Sequence, residues 1–235
     1  VNSAVFNVQD GIYRFAHDKI REGLLARIEA PEFIQNSQRI AQAIEALYPD
    51  DTSFAHVLTQ HWKNAGNTEK ECHYSYILSK QVRHHNTQQA RIHAHRVLEI
   101  LTEENDDPRV PEMYCILGEL YLNMSQFDLA TDHYTKGFNL AKSQELGVLQ
   151  AKCLEGLGHV AIKHNDTDRA MTYYQMALAC AQHTNDNAII ALIMNSISAV
   201  HIEWGEFEEV TRIAGESLEL ARTIDDKPGI ALYYL

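Results

Sequence analysis

The sequence lacks several features that define common classes of protein. It has no run of about 18 consecutive apolar residues and no signal-peptide pattern, so we expect no membrane partner. Its 20 lysines and arginines face 32 acidic residues, and the net charge of −12 argues against direct nucleic-acid binding, because phosphates repel a negative surface. With 45% hydrophobic residues among 235, the composition excludes disorder and predicts one or two folded units.

Cysteine is scarce, and proline is missing from half of the chain. Cys72, Cys115, Cys153 and Cys180 form no C-x-x-C pair, which favours a reduced, cytoplasmic compartment and apolar roles for these side chains. Residues 112–227 contain no proline. Because proline breaks helix interiors, and because apolar residues recur there at helical spacing, we predict nearly continuous helix.

Motifs for catalysis and cofactor binding are also missing. The chain has no phosphate-binding G-x-x-x-x-G-K-[ST] loop, no G-x-S-x-G elbow and no kinase signature. Residues 156–161 match the G-x-G-x-x-A dinucleotide fingerprint, but we expect them inside a helix rather than after a strand. The 13 histidines include no pair spaced i,i+4. We therefore predict that the chain is not an enzyme and that it holds no metal or cofactor.

The clearest positive feature is an internal repeat. Leu117-Gly118, Leu157-Gly158 and Ile197-Ser198 recur with a constant period of about 40 residues. The same spacing connects Ala130, Ala170 and Val210, and also Ala141, Ala181 and Ala221. Turn segments recur as Ser125-Gln126-Phe127, Asn165-Asp166-Thr167 and Gly205-Glu206-Phe207. Each unit is predicted to be a helical hairpin that stacks on the next to bury its apolar face.

The repeat resembles the tetratricopeptide repeat. The matching residues of one unit are Tyr114, Leu117, Gly118 and Tyr121 in its first helix, and Ala130 and Tyr134 in its second. The third unit departs most, since it has Ser198 and Ala214 where the others have glycine and tyrosine. The period exceeds the usual value of about 34 residues, so longer helices are predicted. The resemblance covers about residues 68–235 and implies an all-α, right-handed superhelical stack of antiparallel helix pairs.

In tetratricopeptide proteins the first helix of each pair lines a concave groove. Carried over by position, the resemblance implies these partner-binding residues: Glu119, Asn123, Glu155, His159, Lys163, Asn195 and Glu203. They would contact an extended peptide or a partner surface, or else be ordinary solvent-facing residues. Residues 112–235 hold 8 basic and 17 acidic residues, a net charge of −9, which favours a basic or mixed partner segment. The alternative is that the acidity serves solubility.

The first thirty residues follow a different pattern. Two segments rich in β-branched and aromatic residues, 5–8 and 12–15, flank Asp10-Gly11 and predict a β-hairpin. A helix is predicted from Asp18 to about Glu29. The segment YRFAHDKIRE, residues 13–22, is similar to the end of the winged-helix subdomain of STAND signalling ATPases. Two later segments also resemble this family: RIAQAIEALYPDD at 39–51 and HWKNAGN at 61–67.

The helical pattern and the two resemblances together suggest a division into three parts. Residues 1–30 would end a winged-helix subdomain, 31–67 would be lead-in helices, and 68–235 would be repeats, truncated in the last one. In related switches the His of a Met-His-Asp motif contacts the bound diphosphate, and Ala16-His17-Asp18 matches this motif in its His and Asp but not in its Met. The resemblance therefore implies that His17 and Asp18 sense nucleotide state; the alternative is that they only cap a helix. ATP or ADP would belong to the full-length protein, because this chain lacks a P-loop.

Together the two resemblances favour a non-catalytic scaffold for protein–protein interaction and regulation. It would be the sensor arm of a STAND-like ATPase or transcriptional regulator, with a protein, a peptide or its own ATPase module as partner. The chain begins at Val1 and ends within an apolar run, residues 230–235, so we expect a segment of a longer protein. Two alternatives are a stand-alone peptide-binding adaptor and a small-molecule inducer sensor that binds in the groove. Oligomeric state is not predicted.

Overall fold

The computed structural model describes residues 6–9, 12–15, 18–102, 106–184 and 186–223. The described elements are β1 Phe6–Gln9, β2 Ile12–Phe15, α1 Asp18–Leu25, α2 Ala30–Leu47, a 3-10 turn Thr52–Phe54, α3 Ala55–Asn64, α4 Thr68–Val82, α5 Thr87–Ile100, α6 Arg109–Asn123, α7 Phe127–Ser143, α8 Gly147–Lys163, α9 Thr167–Thr184, α10 Asn187–Trp204 and α11 Phe207–Thr223. They fall into two compact units, Val1–Tyr74 and Ser75–Leu235.

The first unit begins with the two strands. β1 and β2 pair in antiparallel register, with Phe6 opposite Phe15 and Gln9 opposite Ile12. The predicted turn, Asp10-Gly11, and the candidate nucleotide sensor His17 lie outside the described residues. Asp18, the second candidate sensor residue, is the first residue of α1.

A small core holds the helices of the first unit together. Ala41 on α2 and Leu58 and Trp62 on α3 are buried, and Trp62 is only 3% exposed. Partly buried residues surround them: Ile44, Phe54, Ala65 and Tyr74. Burying an aromatic and a leucine side chain at this junction gives about 2 kcal/mol each, which fixes α3 against α2.

Glu45 on α2 links three elements of the first unit by hydrogen bonds. Its carboxylate accepts from Trp62 Nε1 at 3.1 Å, from Lys70 Nζ at 3.1 Å and from the Tyr74 hydroxyl at 2.7 Å. Burial opposes ionisation of Glu45, but the bonds from Tyr74, Lys70 and Trp62 outweigh it and lower the Glu45 pKa. Two segments noted in the sequence, 39–51 and 61–67, are therefore joined by a charged hydrogen bond.

We predict that Glu45→Gln lowers the free energy of unfolding of the first unit by about 1–2 kcal/mol at pH 7, because charged hydrogen bonds become neutral ones. Unfolding in urea is followed by Trp62 fluorescence in a Trp204→Phe background, since the chain has two tryptophans. The lowered Glu45 pKa means that its contribution is present above pH 4.5 and is lost as pH falls through the folded-state pKa. A stability difference that persists unchanged at pH 3 contradicts this prediction.

The second unit is the predicted stack of antiparallel helix pairs. α6 packs on α7, α8 on α9 and α10 on α11, while α7 also packs on α8 and α9 on α10. The repeat extends to the backbone: the equivalent turn residues Ser125, Asn165 and Gly205 have positive φ angles of 57°, 62° and 76°. A left-handed residue ends the first helix of each pair and reverses the chain. The predicted all-α repeat stack and its turn positions are thus confirmed.

Glycine–tyrosine contacts explain the recurring small residues. A Cβ atom on Gly118 would lie 2.6 Å from the Tyr134 ring, and one on Gly158 would lie 2.3 Å from the Tyr174 ring. Each tyrosine is buried and follows its glycine at the same separation along the chain. The third unit has Ser198 where the glycine would be, and Ala214 replaces the ring. Loss of the ring gives the larger residue its space, which is why the third unit departs from the pattern in both positions at once.

α10 is apolar along most of its length. By length and composition it is the one helix among the described residues that is apolar enough to cross a membrane, and 44% of it is buried. Its buried side chains include Ile193, Ile197 and Val200. Because α10 packs on both α9 and α11, its composition is explained by its position inside the stack.

Candidate binding groove

The first helices of successive pairs lie side by side in the second unit. α8 packs against α6 on one side and α10 on the other. Two cavities open along this shared face, one of about 340 Å³ between α6 and α8 and one of about 320 Å³ between α8 and α10. Glu155, His159 and Leu192 line both cavities. We call this pair of adjoining cavities the inner groove.

The inner groove contains six of the seven partner-binding residues that the repeat resemblance implies. Glu119 and Asn123 line the first cavity, Asn195 and Glu203 line the second, and Glu155 and His159 line both. Lys163 is exposed and is not among the lining residues. Equivalent positions in successive repeats therefore lie on one continuous face of the second unit, and Lys163, at the end of α8, is the exception.

Acidic residues of α6 are neutralised by cations of α4 and the turn that follows it. Glu112 pairs with Lys80 Nζ at 2.7 Å and also accepts from the Tyr76 hydroxyl. Burial would lower the Lys80 pKa, but the bonds to Glu112 and Tyr76 raise it. Glu119 lies 3.8 Å from Arg83. Sequence reasoning missed these cations, because their partners are distant along the chain and meet them only when the hairpins stack.

A hydrogen-bonded chain crosses the floor of the second cavity. His159 Nε2 lies 3.1 Å from Glu155 Oε1, and His159 Nδ1 lies 2.9 Å from the Tyr174 hydroxyl. A carboxylate can only accept, so Nε2 carries the proton, and the Tyr174 hydroxyl donates to Nδ1. The Ser196 hydroxyl also donates to Glu155 at 3.2 Å. These bonds hold the Glu155 carboxylate, which is 12% exposed, in one orientation.

The Tyr174–His159–Glu155 chain has the connectivity of a nucleophile, a base and an orienting acid. Tyr174, however, is only 1% exposed. Burial, followed by the negative charges of Glu155 and Glu203, raises the Tyr174 pKa above its usual value. A phenol that is inaccessible and held protonated cannot attack a substrate. The hydrogen bonds among Tyr174, His159 and Glu155 therefore position the Glu155 carboxylate, and Tyr174 does not serve as a nucleophile.

Thiols lie beneath the first cavity. Cys115 lines it, and Cys153 is fully buried. A hydrogen bond with Cys115, together with burial, raises the Cys153 pKa. Since the thiolate is the reactive form of cysteine, Cys153 is a poor nucleophile and serves as a small apolar residue.

The sequence also raised the possibilities of a metal site and of a dinucleotide-binding motif. Within the described ranges, no group of three or more histidine, cysteine or acidic residues is arranged to hold a metal ion. The dinucleotide fingerprint match, residues 156–161, lies in the middle of α8. Gly156 and Gly158 there are contact sites for the Tyr134 and Tyr174 rings.

A third cavity, of about 290 Å³, lies on the turn side of the stack and includes Arg169 and Tyr173.

Two histidines meet where α5, α6 and α7 pack together. Their ring centroids are 6.2 Å apart, His95 Nε2 lies 3.1 Å from the Tyr121 hydroxyl, and His133 Nδ1 donates to the Leu129 carbonyl at 2.9 Å. Burial lowers the pKa of both rings, and a charge on His133 further lowers the pKa of His95. Charged neighbours on α5 and α7 are Arg91, Glu99, Asp132 and Lys136.

We predict that the second unit loses stability in acid more steeply with these histidines than without them. Their pKa values are lowered in the folded state, so below about pH 6.5 the unfolded chain binds more protons and folding is disfavoured. Between pH 7 and pH 5 we expect an extra loss of about 2–4 °C in Tm relative to the His95→Gln/His133→Gln variant. Calorimetry of both proteins over this range measures it. Parallel Tm curves contradict the prediction.

No protein-family model and no curated protein sequence matches the chain. The fold of the chain does match those of solved structures. The chain is similar to aspartyl phosphate phosphatase F from Bacillus subtilis at 13% identity and a TM-score of 0.69, covering 92% of this chain and 58% of that one. It is similar to a Rap protein in complex with competence and sporulation factor, at 15% identity and a TM-score of 0.63, covering 92% and 61%.

A third similar structure is a STAND protein with a tetratricopeptide repeat sensor from Pyrococcus horikoshii. The identity is 16%, the TM-score is 0.61, and the match covers 88% of this chain and 33% of that protein. The chain thus spans about three fifths of the length of the first two structures and a third of this one. At such low identity the similarity shows the fold alone. That fold is the tetratricopeptide-like stack of helix pairs.

Proposed function

We propose that the chain is a non-catalytic repeat scaffold whose inner groove binds an extended segment of a protein partner. The observation that supports this most is the groove itself: both apolar and polar side chains of α6, α8 and α10 line one open face. Leu192, near its centre, is 47% exposed although it is a large apolar residue. Exposed apolar area rimmed by polar groups is typical of interaction surfaces.

The same proposal includes a regulatory setting. The segments 13–22, 39–51 and 61–67 support a role as the sensor arm of a STAND-like ATPase, and the absence of a C-x-x-C pair supports a reducing, cytoplasmic compartment. Similarity to a STAND protein with a repeat sensor agrees with this role. The arm would bias an on–off equilibrium by binding its partner, or the ATPase module, better in one state. His17 and Asp18 would then sense the nucleotide state of that module.

Selection from a random peptide library displayed on phage tests the scaffold proposal. The immobilised chain is expected to enrich extended peptides with micromolar affinity, measured afterwards by fluorescence anisotropy of the synthetic peptides. Enrichment of no peptide, together with stabilisation of the chain by a small molecule in a thermal-shift screen, would overturn the protein-partner interpretation and support the inducer-sensor alternative. If the selected peptides compete with an isolated ATPase module for binding to this chain, the result supports the sensor-arm role.

A further inference from the structure

The two cavities of the inner groove differ in charge balance. In the first cavity Glu112 and Glu119 have cationic partners, Lys80 and Arg83. The second cavity is lined by Glu155 and Glu203, and among its described lining residues there is no lysine or arginine. Lys152 lines only the first cavity. The α8–α10 end of the groove is therefore the end where negative charge is not balanced.

The walls of the second cavity are apolar. Ile162 on α8 and Leu192, Ala199 and Val200 on α10 line it. Leu192 and Ala199 are exposed, so this apolar area faces solvent. A ligand that fits must cover hydrocarbon surface and also bring positive charge. Long basic side chains do both, because their methylene stems pack on apolar surface while the charged end reaches a polar group.

The carboxylates at this end are placed to receive that charge. Glu155 is held by His159 and Ser196, so little conformational freedom is lost when a cation binds to it. Glu203 is exposed on the last turn of α10. The charges of Glu155 and Glu203 both reach Tyr174 at the cavity floor, where they contribute to its raised pKa. Both carboxylates also line this one cavity.

We propose that the second cavity is a subsite for a basic side chain, arginine or lysine, of the bound protein segment. The aliphatic stem lies along Leu192 and Ile162, and the cation lies between Glu155 and Glu203. This inference rests on the proposed function of the inner groove and adds the chemistry of the partner: a segment with a basic residue flanked by apolar ones. Charge complementarity of this kind selects a partner and speeds its association.

The probe is the peptide acetyl-Ala-Leu-Arg-Leu-Ala-amide, compared with the same peptide carrying citrulline, which has the shape of arginine without its charge. A lysine peptide distinguishes the two basic side chains. Binding is followed by NMR shifts of isoleucine and leucine methyl groups. We expect the arginine peptide to bind about 10-fold more tightly than the citrulline peptide. The difference should shrink in about 0.5 M salt, because the site is open to solvent.

Three variants locate the effect. Glu203→Gln and Glu155→Gln should each reduce arginine-peptide affinity about 3–10-fold and leave citrulline binding unchanged. Glu219→Gln is the matched control, since Glu219 is exposed on α11 and pairs with Arg222. It should change neither affinity.

The outcomes separate this inference from the proposed function. Equal binding of the arginine and citrulline peptides, with shifts at Leu192, overturns the basic subsite and leaves the groove as a docking site. Equal losses in all three variants overturn the subsite as well, because a general charge effect would explain them. Absence of methyl shifts for every peptide, together with an unsuccessful library selection, overturns both.

Discussion

Replacing Gly158 with alanine should destabilise the second unit by about 3 kcal/mol, although alanine favours helix over glycine by about 1 kcal/mol. The added Cβ would lie 2.3 Å from the Tyr174 ring, closer than any ordinary contact. Tyr174 is fully buried and cannot move aside without opening the stack. Urea unfolding followed by circular dichroism measures the loss.

Tyr174 variants test the physical cause of that loss. Tyr174→Ala alone costs about 3–5 kcal/mol, because it removes a buried ring. In that background Gly158→Ala should cost about zero, which gives a coupling energy of about 3 kcal/mol in the double-mutant cycle. Tyr174→Phe keeps the ring and should not rescue Gly158→Ala. The natural pair Ser198 and Ala214 already shows this combination in the third unit.

Gly215 provides the matched control for glycine replacement. It lies in α11, and a Cβ there meets no atom within 4 Å. Gly215→Ala should therefore stabilise the chain by about 0.5–1 kcal/mol through helix propensity alone. If Gly158→Ala is as well tolerated as Gly215→Ala, the glycine–tyrosine contact is not what fixes the repeat.

Leu192→Glu should reduce the affinity of library-selected peptides at least about 30-fold, or about 2 kcal/mol. Leu192 lines both cavities, so the new carboxylate removes the shared apolar surface and crowds the carboxylate of Glu155. Because Leu192 is 47% exposed, the folded chain tolerates the change. Fluorescence anisotropy with the same peptide measures both proteins.

Leu129→Glu is the control for this substitution. Leu129 is 44% exposed, nearly as much as Leu192, but lies on α7 outside the inner groove. Leu129→Glu makes the same chemical change on another face, so the affinity for the selected peptide should change less than about 2-fold. Equal losses in the two variants would show that overall charge, rather than the groove, governs binding.

The fold could be predicted from the sequence because its determinants are local or strictly periodic. The constant spacing of Leu157-Gly158 and its equivalents predicted the helix pairs, and Asn165 and its equivalents predicted the turns. Both patterns depend on chain-neighbouring residues and on repetition. The groove face followed from repeat position, which is why six of seven predicted residues line it.

The chemistry of the groove could be predicted only in part. Glu155 and His159 are spaced i,i+4, so their contact was visible in principle from helix geometry. The contacts of His159 with Tyr174, of Glu112 with Lys80 and of Glu45 with Trp62 join positions that are far apart in the chain. These contacts depend on how helices cross, which no local pattern specifies. The charge imbalance between the cavities follows from the pairing of Glu112 with Lys80 and of Glu119 with Arg83, and it emerged only from the structure.

Amide hydrogen exchange of the chain with and without a selected peptide tests the central claim most directly. Slower exchange is expected in α6, α8 and α10, the helices that line the inner groove, with little change in α7, α9 and α11. Protection confined to those three second helices, with α6, α8 and α10 unchanged, would contradict the account.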